Sequence, residues 1–166
     1  MIELKEIEFK DLDIMRKHRN SYVNMYFRQY KLISEVEQKK WFETTNDIMF
    51  AIYDNSELIG ICGLCKIDYI NRNADLSIYM FDNYINEHSE KALELLFYYG
   101  FNQLGLQKIY TDIFGYDEKK IELFDKIGMK RTGILPENYY RNGKYWDSHY
   151  YCIVRDNFIK DKEKIK

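Results

Sequence analysis

Glycine and proline are scarce in this chain of 166 residues, which has eight glycines and a single proline, Pro136. So few of them exclude a collagen-like repeat and a long disordered linker. Three cysteines, an odd number, provide no disulfide framework. Cys62 and Cys65 have the spacing of metal ligands, but they fall in an extended segment, where residues three apart point to opposite faces. We therefore expect no metal site.

Long apolar runs and an excess of basic charge are also missing. No apolar stretch approaches the roughly 18 residues that a membrane-spanning helix needs. The 25 Lys and Arg against 27 Asp and Glu give a net charge of -2, whereas a general nucleic-acid binder carries a basic excess. The first residues alternate in polarity and are acidic, unlike a secretion signal. We expect a cytoplasmic protein with neither a nucleic-acid nor a membrane partner.

Periodicity predicts a single domain over residues 1–155, followed by a charged tail, 156–166, that we expect to be frayed. The predicted order is strand 2–9, helices 11–20 and 34–45, strands 48–53, 58–68 and 74–81, helix 91–103, strand 108–114, helix 118–127 and two strands within 139–155. Ser34 and Glu37 form a capping box, and Asn142-Gly143 is a turn signal. A strand–helix–strand order in the second half implies one parallel pair. The fold class is therefore mixed α/β, a mostly antiparallel sheet with helices on both faces.

Short segments in a fixed order carry a family resemblance. They are Arg19-Asn20, Ile33-Ser34, Glu37-Gln38 and Trp41-Phe42 near the start, Leu58-Ile-Gly60 with Gly63, Ala74-Asp-Leu76 with Ile78-Tyr79, Ala92-Leu93 through Lys108-Ile-Tyr110, Ile121 through Gly128, Gly133-Ile-Leu135, Tyr139-Tyr140 and Asn142 through Asp147. In their joint order and spacing the chain resembles the GNAT N-acetyltransferase superfamily. Within it, the chain looks most similar to the branch of ribosomal-protein and nucleotide-amino-sugar N-acetyltransferases.

The resemblance implies transfer of an acetyl group from acetyl-CoA to a small-molecule amine, with a nucleotide-linked amino sugar as the expected acceptor. The cofactor-binding positions that it implies are Ile78, Tyr79 and Met80 on the fourth strand, Asn86, His88 and Ser89 before the central helix, and Asp117, Lys120 and Phe124 around the last helix. Its acceptor-binding positions are Arg19, Asn20, Trp41, Tyr140 and Asn142. Tyr139 also matches the acceptor side of this branch, and packing is the alternative use of Trp41 and Tyr139.

Amine acetylation needs a group that accepts a proton and a group that protonates the leaving thiolate. The resemblance points to Asp75 as the base, and the alternative is a structural pair with Arg72 or Arg19. Asp112 and Asp147 are further candidates for the base. Tyr116 is the candidate acid because the family's tyrosine position holds Phe124 here.

The expected phosphate-binding loop departs from the family pattern. Residues 82–91 contain no glycine and carry Glu87 and Glu90, whose charge competes with a diphosphate for a helix N-terminus. The sequence therefore leaves three functional hypotheses open. The chain acetylates a small-molecule amine, it acetylates a protein N-terminus or another amine, or it is a binding module that has lost acetyl-CoA. It is expected to act as a monomer or a homodimer.

Overall fold

The computed structural model describes residues 1–29 and 31–163, which form seven strands and five helices. The strands are β1 Ile2–Glu6, β2 Ile48–Asp54, β3 Glu57–Asp68, β4 Asn73–Met80, β5 Lys108–Phe114, β6 Lys130–Arg141 and β7 Lys144–Val154. The helices are α1 Leu12–Tyr26, α2 Glu35–Thr44, α3 Ser89–Tyr98, α4 Glu118–Lys126 and α5 Arg155–Glu163. A 3-10 turn, Phe9–Asp11, precedes α1, and a π-helical turn, Tyr99–Gln103, continues α3.

All seven strands belong to one sheet in the order β1-β2-β3-β4-β5-β7-β6. Every neighbouring pair is antiparallel except β4 and β5, which run parallel. Helix α3 connects these two strands, because a parallel pair needs a crossover connection. The mixed α/β class and the parallel pair that the sequence predicted are confirmed.

Helix α3 supplies much of the core because its apolar residues recur at helical spacing. Ala92, Leu93, Leu96 and Phe97 are each at most 1% exposed, and they join the buried side chains of β3, β4 and β5. Burying a side chain as large as that of Leu93, Leu96 or Phe97 stabilises the fold by about 1.5–3 kcal/mol. No helix among the described residues is long and apolar enough to cross a membrane.

Local sequence signals predicted several element ends correctly. The Ser34 hydroxyl accepts a hydrogen bond from the Glu37 amide, and the Glu37 carboxylate accepts one from the Ser34 amide, so the predicted capping box opens α2. Asn142 and Gly143 both have positive φ, 53° and 77°. Two consecutive left-handed residues are what a two-residue type I′ hairpin turn requires, and this turn joins β6 to β7.

Two expectations about helix length are corrected. Residues 155–163 form α5 rather than a frayed tail, because Phe158 is buried and its ring centroid lies 5.4 Å from that of Phe101. Residues 164–166 of the predicted tail lie outside the described residues. Helix α1 continues past residue 20 to Tyr26. Its last turns are held by aromatic contacts, since Tyr22 and Tyr26 both pack against Tyr84.

Candidate active site

A cleft opens where β4 and β5 separate. The two strands pair over only three residues each, and the last pair joins Asp75 to Tyr110. Beyond that pair lies a cavity of about 60 Å³ between the diverging strands. Its lining comes from the end of α1, from β4, from β5 and from the start of α4, and comprises Tyr26, Phe27, Arg28, Leu76, Ser77, Ile78, Thr111, Asp112, Ile113, Phe114, Asp117 and Lys120.

The edge of β4 that faces the cleft carries backbone groups that β5 does not use. The Phe81 amide donates to the Ile59 carbonyl of β3 at 2.8 Å, so by alternation Ile78 and Met80 direct their amides towards the cleft. No described residue of β5 pairs with β4 beyond Asp75, and Ile78 also lines the cavity. The Met80 amide is engaged, because it donates to the Tyr84 carbonyl at 2.7 Å. The Tyr79 hydroxyl instead donates to the Met15 carbonyl of α1 at 3.5 Å.

Asp75 lies at the point where the strands part and is only 2% exposed. One carboxylate oxygen, Oδ2, accepts hydrogen bonds from Arg28 at 2.8 Å and from Lys66 at 3.4 Å. The other, Oδ1, is buried without a hydrogen-bond partner among the described residues. Arg72 and Arg19 were the structural partners expected for Asp75. Arg28 and Lys66 take their place. A buried carboxylate oxygen without a partner is costly, which makes Oδ1 a position suited to a donor from a ligand.

Arg28 joins the two strands across the cleft. Its guanidinium contacts Asp75 of β4 through Nη2 at 2.8 Å and Asp112 of β5 through Nη1 at 2.6 Å. Although burial alone would lower the pKa of Arg28, the attraction of Asp75 and then of Asp112 raises it above its ordinary value. The guanidinium is therefore a permanent positive charge between two carboxylates.

Asp112 is held by groups from both closing strands. Its Oδ2 accepts hydrogen bonds from the Tyr139 hydroxyl of β6 and from the Ser148 hydroxyl of β7, the latter at 2.9 Å. Burial, followed by the bond to Asp112, raises the pKa of Tyr139. Tyr139 therefore keeps its proton at neutral pH and stays a donor to Asp112. Asp112 thereby presents only Oδ1 to Arg28 and the cavity.

The start of α4 forms the far wall of the cleft. Asp117 caps this helix through the Lys120 amide, at 3.2 Å from Oδ1. Burial raises the pKa of Asp117 and lowers that of Lys120. Lys120 extends over the ring of Tyr84, with Nζ 4.9 Å from the centroid. Asp117 and Lys120, both predicted as cofactor contacts, thus do line the cavity.

The loop between β4 and α3 folds against the cleft through Tyr84. Its side chain is 2% exposed, its ring stacks on Tyr26 at 4.0 Å, and its hydroxyl lies 3.4 Å from Asp117 Oδ2. Asn83 and Tyr84 have φ of 57° and 53°. Left-handed backbone at a bulky residue costs about 1–3 kcal/mol. The aromatic contacts of Tyr84 offset that cost.

The other loop residues that were predicted to bind a cofactor make local bonds. The Asn86 side chain accepts from the His88 amide at 3.0 Å and donates to the Asp82 carbonyl at 3.2 Å. The hydroxyl of Ser89, which is fully buried, accepts from the Asn86 amide at 3.1 Å. His88 is the N-cap residue of α3, and its ring lies 3.6 Å from the carboxylate of Glu87. These bonds build the turn that starts α3.

A shallow groove runs from this turn along α4. It is lined by Ile85, Asn86, Glu87, Glu90, Lys119, Glu122, Leu123 and Lys126. Glu90, whose charge was expected to repel a diphosphate, forms an ion pair with Lys126 of α4. The groove therefore carries both signs of charge, and the pair with Lys126 reduces the repulsion that Glu90 alone would cause.

Tyr116 and Phe124 lie outside the cavity lining. The Tyr116 hydroxyl donates to the Met25 carbonyl at the end of α1, and burial raises its pKa to about 12. Its proton is therefore engaged by a backbone carbonyl rather than free to serve as the predicted acid. Phe124 is 1% exposed and packs edge-on against Tyr151, with ring centroids 5.6 Å apart. Its position in the core follows from the apolar face that α4 turns towards the sheet.

The five residues expected to bind the acceptor do not converge on the cleft. The Asn20 side-chain amide donates a hydrogen bond to the Ile33 carbonyl and accepts one from the Ile33 backbone amide, both at 2.9 Å. Arg19 stacks over Phe27 at 4.7 Å, with Nη1 buried and without a hydrogen-bond partner among the described residues. Trp41 packs against the core, Tyr140 is 58% exposed, and Asn142 forms the hairpin turn.

Sequence reasoning missed Arg28 and Arg141, which organise the mouth of the cleft. Arg141 is 7% exposed, and its guanidinium donates to the carbonyls of Phe27, Arg28 and Tyr140 at 2.7–2.8 Å. It thereby fixes the segment after α1 to the β6–β7 hairpin. In the sequence, Arg141 stands out only as a charged residue beside a turn. Nothing in that local pattern indicates a hydrogen-bond partner 113 residues away.

Comparisons with known proteins identify the family of this chain and support its fold. The sequence profile of the family described as an acetyltransferase (GNAT) domain matches residues 4–150. The chain is 24% identical to a spermidine N(1)-acetyltransferase of Escherichia coli strain K12, over 96% of this chain and 89% of that protein. It is 25% identical to a spermidine N(1)-acetyltransferase of Vibrio cholerae over 98% of both chains.

Similar solved structures include a spermidine N-acetyltransferase from Vibrio cholerae in complex with CoA and spermine. It has a TM-score of 0.87 and 24% identity, and the match covers 95% of this chain and 98% of that one. A dodecameric structure of spermidine N-acetyltransferase from Vibrio cholerae has a TM-score of 0.81 and 23% identity, covering 96% and 97% of the two chains. These likenesses support the fold described above.

Proposed function

We propose that this chain, which belongs to the GNAT acetyltransferase family, transfers the acetyl group of acetyl-CoA to a primary amine of a small polycation of the spermidine type. The activity as an N-acetyltransferase and the donor follow from membership of the family. The identity of the acceptor is the part that we propose. The relatives that support it are named as spermidine acetyltransferases, and they do not support the amino-sugar acceptor that the sequence suggested.

One observation carries the proposal: two carboxylates meet at the mouth of the cleft, and one of their oxygens has no partner. Asp75 and Asp112 come from the two diverging strands and share a single guanidinium. Asp75 Oδ1 is buried without a donor among the described residues. Buried carboxylates favour a cation that also donates hydrogen bonds, because such a cation satisfies both the charge and the lone pairs. A protonated amine has both properties, whereas the anionic phosphates of a nucleotide-linked amino sugar have neither.

In the proposed mechanism Asp75 accepts the proton that the amine must lose. The neutral amine then attacks the acetyl carbonyl, forming the C–N bond as the C–S bond breaks. The nitrogen sheds a second proton as it becomes an amide, and that proton neutralises the departing thiolate, so that CoA leaves as the free thiol. Asp112, held by Tyr139 and Ser148, keeps the nitrogen oriented through charge-assisted hydrogen bonds. A positioned general base of this kind contributes about 10²- to 10⁴-fold to the rate. Low solvent exposure of Asp75 strengthens each of these interactions.

The residues present fit acetyl-CoA at two places. The Ile78 amide faces the cleft unused by β5, which suits an amide-bearing arm. Lys119 and Lys126 border the groove along α4 and are cations that could meet phosphates there, beside the carboxylates of Glu87, Glu90 and Glu122. When bound, acetyl-CoA supplies the electrophilic carbonyl and the thiolate leaving group. The charge of Glu90 favoured the hypothesis of a binding module that has lost acetyl-CoA. The ion pair between Glu90 and Lys126 weakens the expected repulsion of a diphosphate and therefore weakens that hypothesis.

Initial rates with a panel of acceptors test the proposal. The purified chain would be incubated with acetyl-CoA and, separately, spermidine, 1,4-diaminobutane, a nucleotide-linked 4-amino sugar and a peptide with a free N-terminus, and release of the CoA thiol would be followed. We expect the highest kcat/KM with spermidine. Turnover of the amino sugar or the peptide alone would refute the polyamine acceptor. Donor binding without turnover of any amine would refute the proposed acceptor class as a whole.

A further inference from the structure

The Arg28 guanidinium lies where an acceptor's ammonium group would be needed. It is the group that bridges Asp75 and Asp112, and it enters the cleft from the segment between α1 and α2 rather than from either strand. Both carboxylates are far more buried than Arg28, with side chains 2% and 11% exposed against 39%. Of the three groups that form the bridge, Asp75, Arg28 and Asp112, Arg28 is therefore the one able to leave, because its side chain has the readiest access to water.

The backbone of Arg28 is fixed while its side chain is not enclosed. Arg141 donates to the carbonyls of Phe27 and Arg28, both at 2.8 Å, which holds the segment against the β6–β7 hairpin. The guanidinium is reached through a flexible side chain beyond this anchor. It can leave the carboxylates by changes of side-chain rotamer alone, without displacement of the anchored backbone.

Departure of Arg28 without replacement would be unfavourable. Removing one partner of a buried ion pair leaves an uncompensated charge, and Lys66, 70% exposed and 3.4 Å from Asp75, compensates one carboxylate only weakly. An incoming cation that bonds to both carboxylates removes this penalty. Exchange of one cation for another is therefore favourable in a way that entry of a neutral molecule is not.

We propose that Arg28 is a built-in occupant of the acceptor's ammonium position, so that a cationic acceptor binds by displacing it and Arg28 sets both the charge class and the affinity of the acceptor. This inference rests on the proposed function. If the site binds its acceptor only while the guanidinium is displaced, the apparent dissociation constant equals the intrinsic one divided by the fraction of molecules in which the site is empty. Occupancy of about 90% by Arg28 would thus weaken acceptor binding about tenfold.

The test replaces the guanidinium and measures acceptor affinity. Arg28→Gln is expected to lower KM for spermidine about tenfold, with Arg28→Lys intermediate because a single ammonium lacks the planar fork that reaches both carboxylates. Arg16→Gln is the matched control, since Arg16 pairs with Asp13 on the surface of α1, and its KM is expected to match the wild type. A KM that is unchanged or raised in both Arg28 variants would overturn the proposal.

Inhibition by methylguanidinium provides a second measurement, and its result would not depend on Arg28 if Arg28 had only a structural role. In Arg28→Gln it is expected to inhibit competitively against spermidine and to raise Tm, because it refills the vacated position. In the wild type, where Arg28 already fills that position, neither effect is expected. Equal inhibition of both proteins would contradict the exchange. If the wild type acetylates no cationic amine, the proposed function fails, whereas turnover with an insensitive Arg28→Gln refutes only the role of Arg28.

Discussion

Replacement of Arg141 by methionine tests how the acceptor side of the cleft is held. Methionine keeps much of the apolar length of the side chain but donates no hydrogen bonds. Two of the lost bonds are long-range, to the carbonyls of Phe27 and Arg28 at 2.8 Å. Hydrogen bonds from charged donors contribute about 1.5–3 kcal/mol each. We take the lower value because methionine also removes the cost of burying a charge, and expect a loss of about 3 kcal/mol.

For a chain of this size, 1 kcal/mol corresponds to about 2–4 °C in Tm, so Arg141→Met is expected to lower Tm by about 6–12 °C. KM for the acceptor should also change, because Arg28 loses its anchor. Thermal unfolding by circular dichroism and acceptor kinetics would measure the two effects. Lys144→Met is the control, since Lys144 is exposed beside the same turn and surface substitutions stay within about 0.5 kcal/mol. An Arg141→Met protein that unfolds within 1 °C of the wild type would refute the anchoring role.

Three further predictions concern catalysis, pH and packing. Asp75→Asn should lower kcat by about 10²- to 10⁴-fold while the protein stays folded, and undiminished turnover of the true acceptor would remove Asp75 from the mechanism. The bonds to Lys31 and then to the N-cap serine lower the pKa of Glu37 from 4.5 to about 2. The resulting stability is therefore present above pH 4.5 and lost as the pH falls to about 2. The Tm difference between wild type and Glu37→Gln should accordingly vanish at the acid end, and a pH-independent difference would contradict this. Gly63→Ala should destabilise by about 1–3 kcal/mol, because its Cβ would lie 2.6 Å from a carbonyl oxygen of β2, whereas Gly133→Ala, with no atom within 4 Å, should leave Tm nearly unchanged.

The fold could be predicted where the signal is local. The Ser34 capping box and the Asn142-Gly143 turn each depend on a few consecutive residues, and both formed as expected. Helix α5 was not predicted because its alternating charges hide a buried anchor, Phe158. That anchor stabilises the helix through the rings of Phe97 and Phe101, which lie 61 and 57 residues earlier in the chain and are brought close by the fold.

Scarcity of glycine did not mean scarcity of left-handed backbone. Among the described residues, positive φ occurs at the non-glycine positions Asn55, Lys66, Arg72, Asn83, Tyr84, Glu137 and Asn142. Asparagine tolerates this conformation well, and it accounts for three of them. The loop before α3, which lacks glycine, makes its turn with Asn83 and Tyr84. Composition therefore predicted that the loop would be unusual but not how its backbone would turn.

The candidate site could be predicted only in part because its contacts are distant in sequence. Asp75 was identified from the fourth strand, and Asp112 was considered as an alternative base. Arg28 was not identified, since it reaches these residues over 47 and 84 positions. No local pattern marks a residue after a helix as the cation between two carboxylates. The expected acceptor residues failed to converge because their short motifs also serve packing and turns.

The position of the acceptor nitrogen tests the central claim most directly. A crystal structure of the chain with CoA and spermine would locate it. The account predicts a terminal nitrogen within about 2.6–3.2 Å of Asp75 Oδ1, bonded to Asp112 as well, with the Arg28 guanidinium displaced from both carboxylates. Spermine bound elsewhere, with Arg28 still bridging Asp75 and Asp112, would contradict it.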